Sequence, residues 1–373
     1  MKPVVGIVSP WDIGNDRSWS GAIHPMVEEM QRHTEVVDLG RAPSTPTIVD
    51  RGFAKLSGML GRGYLVDHAV LTSYVNSRAI ERVVSSLQLD AVVSIAGSTY
   101  TLKIPEALPV VQIADATFSS LVDFYPSLSN LNWLSEKQGL IVDRLSARRS
   151  DHFMAASQWA ASAIHSELAV PQRKITVAPF GPGPAAKYRN RYLMEAATHD
   201  ALRILFVSTN WIRKSGPEVL EIFSRYRSSS PSSQLIVVGD APGAPLEGVE
   251  YLGRLNPDEI ARQYARADVL IEATQANAAG MTLTDAAAFG LPVIARNVGG
   301  IPTIVQDCET GFLVSPSKDF VVESLKFLKH LQDKKLRQVL SLKSRRNFEE
   351  NLSWSAWGQK YKKTIGGLLN YGG

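Results

Sequence analysis

Residues 267–314 read ADVLIEATQANAAGMTLTDAAAFGLPVIARNVGGIPTIVQDCETGFLV, and their punctuation decides the fold. Val269-Leu270-Ile271 is an apolar run short enough for a buried strand. A loop of small and polar residues follows from 274 to 280. An alanine-rich helix is predicted from 282 to 289, stopped by Gly290 with Pro292 beyond it. Val293-Ile294-Ala295 reads as the next strand, and Gly299-Gly300 with Pro302 as a tight loop into another short helix. Strand, loop and helix, repeated, are the grammar of a parallel α/β sheet, whose ligands lie at the C-terminal ends of the strands.

The candidate chemistry lies in the loop and at the helix start. A small-residue loop lets a ligand approach the backbone closely, and free N–H groups at a helix N-terminus suit an anion. Asp285 lies one turn in, where a carboxylate can accept hydrogen bonds from sugar hydroxyls. Thr282-x-x-Asp285 equally fits a helix capping box, which needs no ligand.

Working outward, 373 residues leave room for two domains and ample core. Apolar content of 45% and charged content of 20% are those of an ordinary globular protein. No apolar run approaches a membrane span, and the N-terminus MKPVVGIVSPWD turns polar too soon for a signal peptide. A single cysteine, Cys308, excludes an intramolecular disulfide and suits a reducing cytoplasm. Seven scattered histidines with that lone thiol offer no zinc-ligand spacing. The net charge of +4 is unevenly placed: residues 318–363 hold twelve Lys or Arg against five Asp or Glu. Solvated helix faces explain such a run, and so does attraction to anionic lipid headgroups or a phosphorylated acceptor. Nucleic acid is not expected, since no aromatic-interleaved basic stripe is present.

The chain opens with an apolar strand over residues 3–8. A polar segment with Gly14, Trp11 and Trp19 leads into a helix marked by Ile23, Met26, Val27 and Met30. G-x-G-x-x-G is absent after that strand, which argues against a dehydrogenase. Residues 51–74 are glycine-rich, basic and apolar; their glycines favour a mobile loop over a stable amphipathic helix. Further strands are expected at 90–95, 110–113, 151–157 and 175–178. The run Pro179-Phe180-Gly181-Pro182-Gly183-Pro184 is the best linker signal in the sequence. A second series begins with a strand at 203–207, followed by Ser208-Thr209-Asn210-Trp211-Ile212-Arg213-Lys214-Ser215-Gly216-Pro217 and a helix with Leu220, Phe223 and Tyr226 on one face. A lysine at such a strand-to-helix turn can neutralise phosphate as a point charge; it can also be an ordinary surface lysine. Residues 235–240 read as a strand, and Asn256-Pro257-Asp258-Glu259 as a well-formed helix start.

Residues 267–314 resemble the nucleotide-sugar half-site of the family 4 retaining glycosyltransferases. Those enzymes carry two glutamates separated by seven residues with a glycine between them, then Gly-Leu-Pro-Val and a later Gly-Gly. Asn277 stands at the first glutamate, Gly280 at the glycine and Asp285 at the second glutamate; Phe289-Gly290-Leu291-Pro292-Val293-Ile294-Ala295 and Gly299-Gly300-Ile301-Pro302 match closely. Both acids depart from the pattern. Asp keeps the charge but shortens the reach, and Asn keeps an acceptor, adds a donor and loses the charge.

The resemblance implies two Rossmann-like domains facing across a cleft, the GT-B fold: residues 1–183 on the acceptor side, 184–353 on the nucleotide-sugar side, and 354–373 as a helix crossing back. It implies a nucleotide-diphospho-sugar donor, a sugar or lipid-linked acceptor, and cytoplasmic placement with peripheral membrane contact through the basic surface. No metal or other cofactor is expected, since no DxD motif is evident. Lys214, with Arg213, falls where relatives bind the diphosphate. Gly280, Met281 and Thr282 bring backbone to the phosphates, Asp285 holds the ribose, and Asn277 holds the sugar hydroxyls. Ser20-Gly21 occupies the place of a small-residue loop near donor phosphates and acceptor, and Trp19 is either an acceptor platform or a packed anchor. Asp115, in Asp-Ala-Thr-Phe at a strand end, either orients the acceptor hydroxyl or caps the helix that follows. The rival expectations are a scaffold that kept the fold and lost turnover, and a nucleotide-sugar epimerase of the same fold.

Overall fold

Short β-branched runs bounded by glycine, proline and asparagine form the strands in both halves of the chain, and every ladder is parallel. The computed structural model describes residues 2–15, 17–41, 46–192, 201–243 and 245–369. Contacts divide the chain into two compact units, Met1–Ala178 with Trp357–Gly373, and Pro179–Ala356. Each is built on one six-stranded sheet.

The first sheet comprises β1 (Val4–Ser9), β2 (Glu35–Arg41), β3 (Ala91–Ile95), β4 (Val110–Ala114), β5 (His152–Ala155) and β6 (Ile175–Val177), in the order β2-β1-β3-β4-β5-β6. β3 is buried along its whole length, as a parallel strand covered on both faces must be. The direction of winding reverses between β1 and β3, so the segments leaving those two strands border this unit's switch point. The C-terminal residues close the same unit. Trp357 and Tyr361 stack with ring centroids 5.5 Å apart, both fully buried, and the Tyr361 hydroxyl meets Thr34 Oγ1 at 3.0 Å.

The second sheet comprises β7 (Arg203–Ser208), β8 (Gln234–Gly239), β9 (Val249–Gly253), β10 (Val269–Glu272), β11 (Val293–Arg296) and β12 (Gly311–Val314), in the order β12-β11-β10-β7-β8-β9. Phe206, Val237, Ile271 and Ile294 fill one face, and Leu205, Ile236, Leu270 and Val293 the other. Here the winding reverses between β7 and β10, which pair directly with Leu205 beside Leu270. The proline- and glycine-rich residues 179–184 belong to this unit. Thr284 Oγ1 donates to Gly181 O at 3.2 Å, Trp354 Nε1 to Pro182 O at 2.8 Å, and Gly183 N to Asp285 Oδ1 at 2.8 Å.

Most of the expected loop at 51–74 is helical, and only residues 60–69 connect the helices. A helix runs from Ile48 to Met59, and another from Val70 to Ser85. Thr47 caps the first, its Oγ1 accepting from Asp50 N. Two internal glycines cost about 1 kcal/mol each, but buried polar anchors offset them. The Asp50 carboxylate accepts from Thr47 Oγ1, Thr72 Oγ1 and Tyr64 OH at 2.7, 2.6 and 3.0 Å. Ser57 donates to Arg62 O at 2.8 Å and accepts from Asn132 Nδ2 at 2.7 Å. The helix is inside out: it buries Asp50 and Ser57, while Ile48 is 85% and Met59 77% exposed, with Phe53 and Leu56 also outward. Composition could not reveal this, because the anchors come from distant residues.

Gly139 lies within the helix Trp133–Arg149, where alanine would ordinarily stabilise by about 1 kcal/mol. An added Cβ would fall 2.3 Å from the Phe118 ring, and overpacking of this kind costs ~1–3 kcal/mol. The second effect wins, so Gly139→Ala should lower the midpoint of thermal unfolding. A variant melting at or above the parent would show instead that the ring swings clear.

Candidate active site

In the second unit the switch point gathers the turn after β7 and the loop after β10. The β7 turn is tight: Lys214 N donates to Asn210 O at 3.0 Å, and Ser215 adopts a left-handed conformation before the helix Gly216–Arg227. Trp211 packs edge-on against Phe206, with the turn wrapped around it. This folds Lys214 inward, so it is not a surface lysine. Its Nζ donates to both Glu272 oxygens at 2.8 Å, and Thr282 Oγ1 donates to Glu272 Oε2 at 2.9 Å. The Lys214 and Glu272 side chains are only 6% and 2% exposed.

The loop after Glu272 is held from three sides. Arg213 Nη1 donates to Ala276 O at 2.9 Å and Arg296 Nε to Ala273 O at 2.9 Å, while Gly300 N donates to Asn277 O at 2.9 Å. Asn277 is buried, and its Oδ1 accepts from Gly280 N at 2.7 Å, so this amide shapes its own loop. Gly280 sits at φ 68°, and a Cβ there would meet Ile304 Cδ1 at 2.4 Å. Only glycine meets both demands. Arg296 is further tied to both oxygens of Glu218 at 2.6 Å.

The helix after this loop runs from Met281 to Ala288 with Gly280 as its cap residue, so the capping-box reading of Thr282 and Asp285 is overturned. Thr282 turns to Glu272, and Asp285 reaches Gly183 N. Burial raises the Asp285 pKa from 3.8 to about 7, against the lowering effect of the Gly183 N–H bond. Burial first, then the charges of Asp285 and Glu272, push the Tyr264 phenol well above its ordinary value. The two carboxylates therefore act on one neighbourhood.

In the first unit, the segment after β1 carries Trp19, Ser20 and Gly21 at φ 47°, 60° and 85°, three left-handed residues in succession. Non-glycine residues in that region cost ~1–3 kcal/mol each and concentrate at functional sites. Trp19 stacks on Trp11 at 5.5 Å, which anchors the loop. Asp115 follows β4 directly, and burial raises its pKa to about 6. It does not cap the next helix: Thr117 does, with Ser120 completing a capping box, and Phe118 N donates to Asp143 Oδ2 at 2.7 Å. Burial drives the Asp143 pKa up and that of His68 down, and each one's charge works against the other's shift. His68 also packs on the Phe118 ring at 5.1 Å.

Sequence reasoning missed Glu272, Asp143 and His68. The signal for Glu272 was present, an acid closing an apolar strand inside the deciding stretch; Asp143 and His68 carry no local signal. Among the described residues, no group of three or more His, Cys, Asp or Glu side chains converges as a metal site.

The Asp285 shift has a pH signature. Its pKa is higher in the folded chain than in the unfolded one, so between about 4 and 7 the folded state holds more protons, and stability falls as pH rises through that window. Asparagine keeps an acceptor for Gly183 N and cannot ionise. Asp285→Asn should therefore change the melting midpoint little near pH 4 and raise it by roughly a few degrees near pH 8. Equal differences at both values would refute the assignment.

Comparison with known proteins fits this geometry. Residues 201–330 match the family described as Glycosyl transferases group 1. The sulfoquinovosyl transferase SQD2 of Arabidopsis thaliana is 30% identical over 151 residues, covering 37% of this chain and 28% of that protein. The chain spans under half the length of the curated relatives it matches first. Among solved structures, sucrose-phosphate synthase from Thermosynechococcus elongatus superposes with a TM-score of 0.69 at 15% identity, covering 100% of both chains. Anabaena HepE in complex with UDP-glucose superposes with a TM-score of 0.64 at 14% identity, covering 98% of this chain and 100% of that one. The chain thus carries a glycosyl transferases group 1 domain on a fold of the GT-B type.

Proposed function

We propose that the protein is a retaining glycosyltransferase that moves a sugar from a nucleotide-diphospho-sugar to a glycan, lipid-linked or small-molecule acceptor. The observation that carries this reading is the convergence of Lys214, the loop 273–280 and the start of the helix Met281–Ala288 at the β7/β10 switch point, where α/β sheets bind nucleotides. In this reading Lys214, with Arg213 and the amides from Gly280 to Thr282, stabilises the charge that develops on the departing diphosphate. Asp285 takes the ribose hydroxyls and Asn277 those of the sugar. In the first unit, Asp115 orients the acceptor hydroxyl or takes its proton, and the Ser20-Gly21 backbone approaches the substrates. The complex of HepE with UDP-glucose supports a donor of this class.

The direct test is a panel of UDP-, GDP- and ADP-sugars, scored by thermal stabilisation and by acceptor-free release of nucleoside diphosphate. One base should stabilise the protein, by about 2.7 kcal/mol at a hundredfold excess over Kd. A scaffold reading has a specific observation behind it: Asn277 and Lys214 are both engaged by the protein itself. A scaffold would bind a donor without turnover, and a chain that binds none of the panel would defeat the transferase reading. Asn277→Glu separates the two further. Asn277 Oδ1 already accepts from Gly280 N in a buried position, so in this reading the longer, charged side chain disturbs the loop and should lower turnover or change sugar preference. A broad rise in rate with unchanged preference would mark a relic.

Among the described residues, no helix is long and apolar enough to cross a membrane. We place peripheral contact with an anionic lipid surface on the helix Ile48–Met59 as well as on the basic surface. That helix turns Ile48, Phe53, Leu56 and Met59 outward beside exposed Arg51 and Lys55, and its one acid, Asp50, is buried. The protein should float with phosphatidylglycerol vesicles and stay behind with phosphatidylcholine, and Phe53→Asp should reduce flotation several-fold. Equal recovery of variant and parent on the anionic vesicles would rule this surface out.

A further inference from the structure

Glu272 is the residue that neither the motif pattern nor the comparisons explain. The three residues before it in β10 are apolar and buried, and it continues that buried run as a carboxylate. A buried carboxylate is costly unless a cation and further hydrogen bonds compensate it, and here both are present. Lys214 donates to its two oxygens, and the Thr282 hydroxyl donates to one of them. The nearby cations are similarly engaged, Arg213 with the Ala276 carbonyl and Arg296 with Glu218. At 6% exposure, the Lys214 side chain offers an incoming anion almost no surface while Glu272 holds it.

We propose that Glu272 is a resident counter-ion that occupies Lys214 in the donor-free protein and competes with the donor diphosphate for it. This rests on the donor reading of the same crevice. The carboxylate mimics what the phosphate does: two oxygens on one ammonium, with a hydroxyl from the helix start completing the shell. It keeps a lysine buried without an unmatched charge, and it makes donor binding an exchange of one anion for another. Affinity for the diphosphate is thereby set lower than an unoccupied lysine would give. Selectivity then rests more on the nucleoside and the sugar, which do not take part in the exchange. A group that merely aims the ammonium at the donor would act in the opposite direction, since its removal would weaken binding.

Glu272→Gln preserves shape and an acceptor for Lys214 and Thr282 while removing the competing charge. Titration calorimetry with UDP, GDP and ADP, and with the matching nucleosides, should show the preferred diphosphate bound roughly tenfold more tightly by the variant, with nucleoside affinity unchanged. Thr282→Val, which loosens Glu272 without touching its charge, should move the same way by a smaller factor and guards against a misfolded glutamine variant. Adding Lys214→Met to Glu272→Gln should abolish the gain. Unchanged or weaker diphosphate binding in both folded single variants would overturn the proposal while leaving the donor reading intact. If parent and variants alike bind none of the three diphosphates, the donor reading fails and the counter-ion role falls with it.

Discussion

A sheet whose strands all run the same way must be covered on both faces, because every strand needs a crossover and each crossover lays a helix against the sheet. That constraint shapes both units. It keeps β3, β7 and β10 buried along their whole length. It sends the segment leaving each strand to one edge of the sheet, and the reversal of winding leaves two of those segments spread apart. Lys214 and the loop 273–280 share a neighbourhood because they leave β7 and β10, the pair flanking that reversal. The clustering of these polar groups is a by-product of covering hydrophobic strands.

The same sheet edge explains why charge is handled so closely. Polar groups there are held away from water by the core behind them, so each must find a partner within the protein. Lys214 finds Glu272, Arg296 finds Glu218, Asp285 finds the Gly183 amide, and Asn277 finds the Gly280 amide. The residues expected to meet a ligand are therefore already bonded, and binding at this edge is an exchange of partners.

What the sequence made legible follows the range over which each signal acts. The strands after Ala267, the helix stop at Gly290 and the helix start at Asn256 were readable because their causes lie within a few residues. The helix Ile48–Met59 was misread because its stability comes from Thr72, Tyr64 and Asn132, up to 75 positions away. Lys214 was found by its turn but not as a buried ion, since its partner lies 58 residues on. Asp115 and Asp285 stood out by pattern, yet the local alternatives weighed for them, helix caps in both cases, gave way to Thr117 and Gly280. His68 and Asp143 meet only in three dimensions, and no spacing announces them.

The bond between Asp285 and Gly183 also restricts how this site can drift. The short acid reaches the amide of a glycine whose missing side chain leaves room for it: a Cβ on residue 183 would lie 3.2 Å from Asp285 Oδ2. A longer acid at 285 would need the space that this close approach consumes, and a larger residue at 183 would press on the acid already there. The two positions, 102 residues apart, are physically coupled, so a change at either one acts on the other. A glutamate at 285 would have to fit its extra methylene against the backbone of residue 183 or give up this bond.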